Sequence, residues 1–397
     1  MQKSVPYIAV FLFVVCIAAC GGSSSKDTAT TQIYSQPSHT LPSLPLPPNT
    51  HMGGTIQGTP LILNNTVATF AGSAGSAGFS NYSTTNGPPA KFSHPTGIAT
   101  DGISIFVADY GNNLIRKITS AGVVTTLPVG FNRPSDITTD GTNLYVVDSG
   151  SNTVRIIEIA TNAVTTIGST SSLAGSVDST NPADARFFIP IGITTDGNDL
   201  YVTDSGNHTI RRINIATKAV TTLAGISRTS GATDGGQGVA RLNRPGRITT
   251  DGTNLYLADF GNRSIRMVDI LSGTVTTIAG AATPGVSEKI SSGNNGAADG
   301  IGTVARFYQP NGITTDGTYL YVTDTYQNTV RRIDKLFPYS VTTISGIAKA
   351  FSDPTLGAGG FVDSPGTPSF YSPIGITSDG ASLFVADSEN STIRRIQ

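Results

Sequence analysis

The sequence has no tryptophan, two cysteines and four histidines among 397 residues. Both cysteines, Cys16 and Cys20, sit at the extreme N-terminus. The rest of the chain has no thiol for a disulfide framework or a thiolate-bound metal. Beyond the N-terminal region only His94 and His208 remain, too few for a zinc site of three histidines. Charge is scarce as well: 13% of residues are charged, about half the usual share, and the net charge is −1. Both values argue against a phosphate-binding nucleic-acid surface, and nothing points to a basic membrane-binding face.

What is present begins with an apolar leader. Lys3 supplies a positive start, and Val5 to Ala19 is an apolar run too short to span a bilayer comfortably. The run ends in Ile17-Ala18-Ala19-Cys20, which resembles the lipobox of bacterial lipoproteins. The resemblance implies a signal peptide over residues 1–19 that carries Cys16 away, and lipidation of Cys20. Gly21, where an aspartate would stand in retained lipoproteins, is similar to the form sent onward from a Gram-negative inner membrane. The expected location is the cell envelope, lipid-anchored and extracytoplasmic, at the outer membrane if the cell is Gram-negative. Residues 20–58 are rich in Ser, Thr, Pro and Gly, and LPSLPLPPN within them predicts an extended, semi-rigid tether.

Residues 59–397 repeat one pattern. Six prolines, Pro95, Pro134, Pro190, Pro245, Pro310 and Pro373, are each followed by Asp-Gly at a fixed offset. Next comes an aspartate closing an apolar run, at Asp109, Asp148, Asp204, Asp259, Asp324 and Asp387. Seven residues later stands an arginine, at Arg116, Arg155, Arg211, Arg266, Arg331 and Arg394. Register held across all four markers means one supersecondary unit copied in tandem. The third copy reads as four short strands: Ile191 and Ile193, then Leu200 to Thr203, Thr209 to Ile213, and Val220 to Ala224, separated by Asp-Gly, Ser-Gly-Asn and Ala-Thr-Lys turns. Four strands per copy, six copies and no helical periodicity predict an all-β six-bladed propeller of antiparallel blades. The last copy stops after its third strand, and Val67 to Gly72 matches Val220 to Gly225. The N-terminal segment is therefore expected to complete the sixth blade and close the ring.

The pattern P-x-G-I-x-x-D-G-x-x-L-Y-V-x-D-x-x-N-x-x-I-R resembles the NHL repeat over everything from Val67 onward. The absence of tryptophan and of a Gly-His dipeptide separates it from WD-type repeats. The resemblance implies a binding platform whose function lies in its site.

Features present in every copy are assigned to the blade itself. The six Asp–Arg pairs are expected to form charge-assisted hydrogen bonds that tie loops and blades together. Phe92, Phe131, Phe187, Leu242, Phe307 and Phe370, three residues before each proline, are expected to fill the inter-blade core. The Asp-Gly pairs lack the further carboxylates of a calcium loop and read as turns.

Function is sought where the copies differ. Two residues after the proline, Gly97, Gly192, Gly312 and Gly375 give way to Asp136 and Arg247 in the second and fourth copies. These two are expected to face one another at the channel mouth, as a structural plug or as a ligand contact. Before the prolines the series runs His94, Arg133, Ile189, Arg244, Gln309, Ser372, with Tyr110, Phe260 and Tyr326 following the conserved aspartates on the same face. Aromatic faces beside cations and amides suit a sugar or an acidic peptide. Five of the six links between copies are long and Gly-rich, and only Leu127 to Pro134 is short, so a notched wall of loops is expected. The leading reading is an envelope-anchored scaffold that binds a protein, peptide or glycan, with no cofactor, no metal and no nucleic acid. Two others stay open: a metal-dependent lactonase- or lyase-like propeller enzyme, for which no nucleophile–base pairing or metal-ligand set is visible, and a purely architectural envelope component.

Overall fold

In the computed structural model each copy of the repeat forms one antiparallel sheet, and six such sheets make a β-propeller. The structure describes residues 59–81, 89–169, 171, 173–281, 298–347, 359–365 and 367–397. The expected signal peptide, Cys20 and tether lie outside the described residues. Among the described residues no helix is long and apolar enough to cross a membrane.

Blade 3 shows how the sequence builds the unit. Its strands are Pro190–Thr195, Asp199–Asp204, Thr209–Asn214 and Val220–Gly225, from the axis outward. Gly197 takes φ +92° in the first turn, a region that L side chains avoid. Asp196 Oδ1 accepts the N–H groups of Asn198 and Asp199, and the Tyr201 hydroxyl donates to Asp196 Oδ2 at 2.8 Å. The same tyrosine-to-aspartate bond recurs at Tyr145, Tyr256 and Tyr321. In these four blades both carboxylate oxygens of the Asp-Gly aspartate are engaged within its own hairpin.

Ring closure follows the expected route. Thr66–Gly72 pairs antiparallel with Thr392–Ile396, with Val67 opposite Ile396 and Thr69 opposite Arg394. Blade 6 therefore takes its outer strand from the beginning of the domain and its other three from the end. At the axis neighbouring backbones nearly touch. A Cβ on Gly312 would lie 2.0 Å from the Ile374 carbonyl, and one on Gly375 2.1 Å from that of Thr96. Blade 4 departs from the pattern there. Its inner strand starts only at Ile248, because Arg247 replaces the glycine and its N–H donates to the Asn311 carbonyl of blade 5.

The long links differ from the expected wall of loops. Their described portions run along the outer edge of the following blade. Ser179 bridges to Val220, Gly235 to Val275, Gly300 to Val341 and Ser364 to Val67. An uncovered outer strand would expose a row of unpaired donors and acceptors, and this fifth strand-like segment satisfies them.

A buried arginine fastens each segment. Arg211 is fully buried, and its Nη1 donates to Asp204 Oδ2 at 2.9 Å and to the Arg186 carbonyl at 2.8 Å. Its Nη2 donates to the Val177 carbonyl at 2.9 Å and to Asp178 Oδ1 at 2.6 Å, both on the link. The guanidinium lies 5.1 Å above the Phe187 ring. Arg116, Arg266, Arg331 and Arg394 repeat the arrangement, at 2.8, 2.6, 3.7 and 2.8 Å from Asp109, Asp259, Asp324 and Asp387. Phe92, Phe307 and Phe370 lie beneath three of them, while Leu242 replaces the ring in blade 4. In blade 2 Arg155 stands 3.7 Å from Asp148 and is 20% exposed.

Two outcomes follow for stability. Deletion of residues 61–72 leaves Thr392–Ile396 as a bare edge, and the protein is expected to aggregate; an unaltered, sharp thermal melt would refute closure by this strand. Asp204→Ala strands a buried guanidinium and is expected to cost ~3–5 kcal/mol in urea unfolding. Asp148→Ala should cost clearly less, because Arg155 keeps access to water.

Candidate functional site

All strands that start at the prolines begin on one rim, together with the turns after the conserved aspartates and the links between blades. The residue before each proline is held there by a repeated device. In five blades it adopts positive φ: His94, Arg133, Ile189, Arg244 and Ser372, between +48° and +52°. In four of the five its N–H donates to a side chain of the preceding blade: Arg133 to Asn113, Ile189 to Asn152, Ser372 to Asn328, and Arg244 to His208 Nδ1 at 3.0 Å. Gln309 instead donates to Asp324 Oδ1 within its own blade. His94, Arg133, Ile189 and Arg244 are exposed, and Gln309 and Ser372 half-buried. His94 Nε2 lies 3.7 Å from Glu389.

The aromatic positions divide. Tyr110 and Phe260 are half-buried. Tyr326 is exposed and stacks on Tyr308, with ring centroids 4.6 Å apart and planes inclined by 17°. Arg263 lies over the other member of that pair, 4.9 Å from the Tyr308 ring. The position two before the proline was not singled out from sequence, yet it places Phe188, Tyr308 and Tyr371 on this rim. Its signal was available as an aromatic after Phe187, Phe307 and Phe370. Its backbone N–H is fixed by the conserved aspartate in every blade, as Phe188 is by Asp204 at 2.7 Å.

Asp136 and Arg247 lie across the axis, with Arg247 Nε 3.5 Å from Asp136 Oδ1. Both are only 5% exposed, so they sit inside the channel and not on the open mouth. Asp136 Oδ2 also accepts the Ile193 N–H at 3.0 Å, while Arg247 donates to Asn311 Oδ1 and the Ser135 carbonyl. Burial holds the Asp136 carboxyl above its ordinary range against the pull of Arg247. Their partners are protein groups on blades 2, 3 and 5, the arrangement of a plug. They form one end of a cleft of about 70 Å³ whose other walls are Ile and Thr side chains of the inner strands. Among the described residues no group of three or more His, Cys, Asp or Glu side chains is placed to hold a metal.

Residues 189–213, in blade 3, match the NHL repeat family. A 99-residue stretch is 36% identical to human NHL repeat-containing protein 2, covering 24% of this chain and 14% of that protein. In fold the chain is similar to auxiliary nutrient binding proteins from Bacteroides thetaiotaomicron and Bacteroides ovatus, at 15% and 18% identity and TM-score 0.61 for both. The matches cover 83% and 85% of this chain and 76% and 77% of those chains.

His208 gives this rim a pH signature. Burial, then the Arg244 charge, lower its pKa below the ordinary 6.5, and its Nδ1 must stay unprotonated to accept the Arg244 N–H. A depressed folded-state value means fewer protons bound when folded, so this stability is present above pH 6.5 and lost as pH falls through the folded value. His208→Asn installs the residue found at Asn113, Asn152 and Asn328. It is expected to flatten the fall in Tm between pH 7.5 and 5; an identical fall in both proteins would refute the role. The chain therefore carries an NHL repeat, within a six-bladed β-propeller.

Proposed function

We propose that this protein is an envelope-anchored NHL propeller that binds a peptide, protein or glycan on the proline-side rim. The lipid anchor at Cys20 and the tether over 20–58 would hold the domain off the membrane. The nutrient-binding relatives of the same fold support a binding role, and the reading rests on this chain's own residues.

One observation carries it. Ile189 is a β-branched residue at φ +48° and is 46% exposed. Left-handed backbone costs such a residue roughly 1–2 kcal/mol, and here no burial offsets it. The Asn152 side chain that accepts its N–H holds the angle, as in the other blades, and leaves an apolar side chain exposed on the rim. Beside it Phe188 is 39% exposed, and Tyr371 and Tyr326 present further aromatic surface around the same rim. Arg133 and Arg244 supply charge one blade away on either side. Apolar faces flanked by guanidinium groups fit sugar rings or an acidic peptide with apolar anchors.

The test is a peptide and glycan array probed with the full chain and two variants. Ile189→Asn is expected to raise stability by ~1 kcal/mol, because asparagine tolerates the left-handed region, and to weaken capture of the ligand. Arg133→Ser with Arg244→Ser is expected to weaken it by at least about tenfold. Ligands bound equally by all three proteins would refute this face as the site.

A further inference from the structure

Blade 2 lacks what the other five blades have on their outer edge. In blades 3 to 6 an aspartate from the preceding link, Asp178, Asp234, Asp299 or Asp363, pairs with Nη2 of the blade's arginine at 2.6, 2.7, 2.8 and 2.6 Å. The same carboxylate accepts the N–H of the second threonine of the outer strand: Thr222, Thr277, Thr343 and Thr69, at 2.9 to 3.0 Å. Blade 1 uses Asn81, which accepts from Arg116 Nη2 and from the Thr126 hydroxyl. The link into blade 2, Leu127 to Pro134, is too short to reach this place. It supplies only the inner half of the cradle: the Gly130 carbonyl, which accepts Arg155 Nη1 at 2.6 Å, and Phe131 beneath the guanidinium at 5.1 Å.

The receptor itself is intact. Arg155 faces Thr166 across the ladder, as Arg211 faces Thr222. Among the described residues Arg155 pairs with no second carboxylate. The exposure of the first outer-strand valine records the vacancy. Val124, Val220, Val275, Val341 and Val67 are 0 or 1% exposed, whereas Val164 is 38% exposed. The backbone groups that Val220 exchanges with Ser179, at 2.8 and 3.0 Å, have no counterpart at Val164 among the described residues.

We propose that the outer edge of blade 2 docks an extended, aspartate-bearing peptide segment of a partner protein, which adds as the fifth strand. The occupant is defined by the four internal copies of the same interaction. Its carboxylate bridges Arg155 Nη2 and the N–H and hydroxyl of Thr166. The carbonyl of the preceding residue accepts from Arg155 as the Val177 carbonyl does from Arg211. The residue after the aspartate exchanges both backbone bonds with Val164, so main-chain pairing gives affinity and the carboxylate gives register. This site is on the flank of the ring, separate from the proline-side rim, and stands whether or not that rim binds a ligand.

The probe is a fluorescent peptide copying residues 175–181, titrated against the full chain by anisotropy. Saturable binding within about 1 mM is expected, weakened roughly tenfold when the peptide aspartate becomes asparagine. Arg155→Gln should abolish it. Val164→Pro should do so as well while leaving the fold intact, since it removes only the N–H that points away from the blade. Arg133→Ser with Arg244→Ser should leave it unchanged, which separates this site from the rim. Absent saturation, or equal binding of the asparagine peptide or by Arg155→Gln, would overturn the proposal. Self-association by light scattering that Val164→Pro abolishes would also overturn it, in favour of edge-to-edge pairing of two copies.

Discussion

The fold depends on an arginine set into each blade, which in five of the six cannot reach water. Five of the six are fully buried, so each must have its charge and its N–H groups met from within the protein. The partners come from three places: the aspartate at the end of the second strand, a carbonyl of the returning link, and the side chain at the link's outer turn. One guanidinium thereby fixes the distance between a strand end, the chain that enters the blade and the segment that covers its edge. The described residues contain no cysteine, and this device ties together stretches of chain far apart in sequence. The repeat is a unit of charge satisfaction as much as of hydrogen-bonded strands.

The axis is governed by crowding. Four glycines let neighbouring backbones approach to distances that no Cβ permits, and the two exceptions are complementary in charge. Asp136 occupies space beside Gly97, and Arg247 reaches across to it from blade 4. Arg247 costs blade 4 the first half of its inner strand, and the bond to Asn311 compensates by tying blades 4 and 5. The channel thus holds a buried ion pair whose remaining partners are protein groups.

Much of this was legible in the sequence because it repeats. Proline, Asp-Gly, aspartate and arginine recur in register, and the match of Val67 to Gly72 with Val220 to Gly225 shows how the ring closes. The facing of Asp136 and Arg247 could be read from their exchange for glycine, but not their depth, which depends on how closely blades approach. The links were harder. Asp178, Asp234, Asp299 and Asp363 stand 12, 11, 11 and 10 residues before the next repeat's proline, but in stretches rich in Gly, Ser and Thr that read as free loops. Only the buried arginines reveal what those aspartates are for. Ile189 stood out in sequence only as the one apolar member of the series before the prolines; the left-handed backbone at that position carried no sequence signal.

In blades 3 to 6 the outer edge is covered where a link aspartate ties the arginine, and among the described residues blade 2 has neither the tie nor the cover. Native-state hydrogen exchange tests this without a ligand. The amides of Val220, Val275 and Val341 should be protected, whereas those of Val164 and Thr166 should exchange orders of magnitude faster, at rates set by local exposure. Uniform protection of the outer strands of all six blades would contradict it.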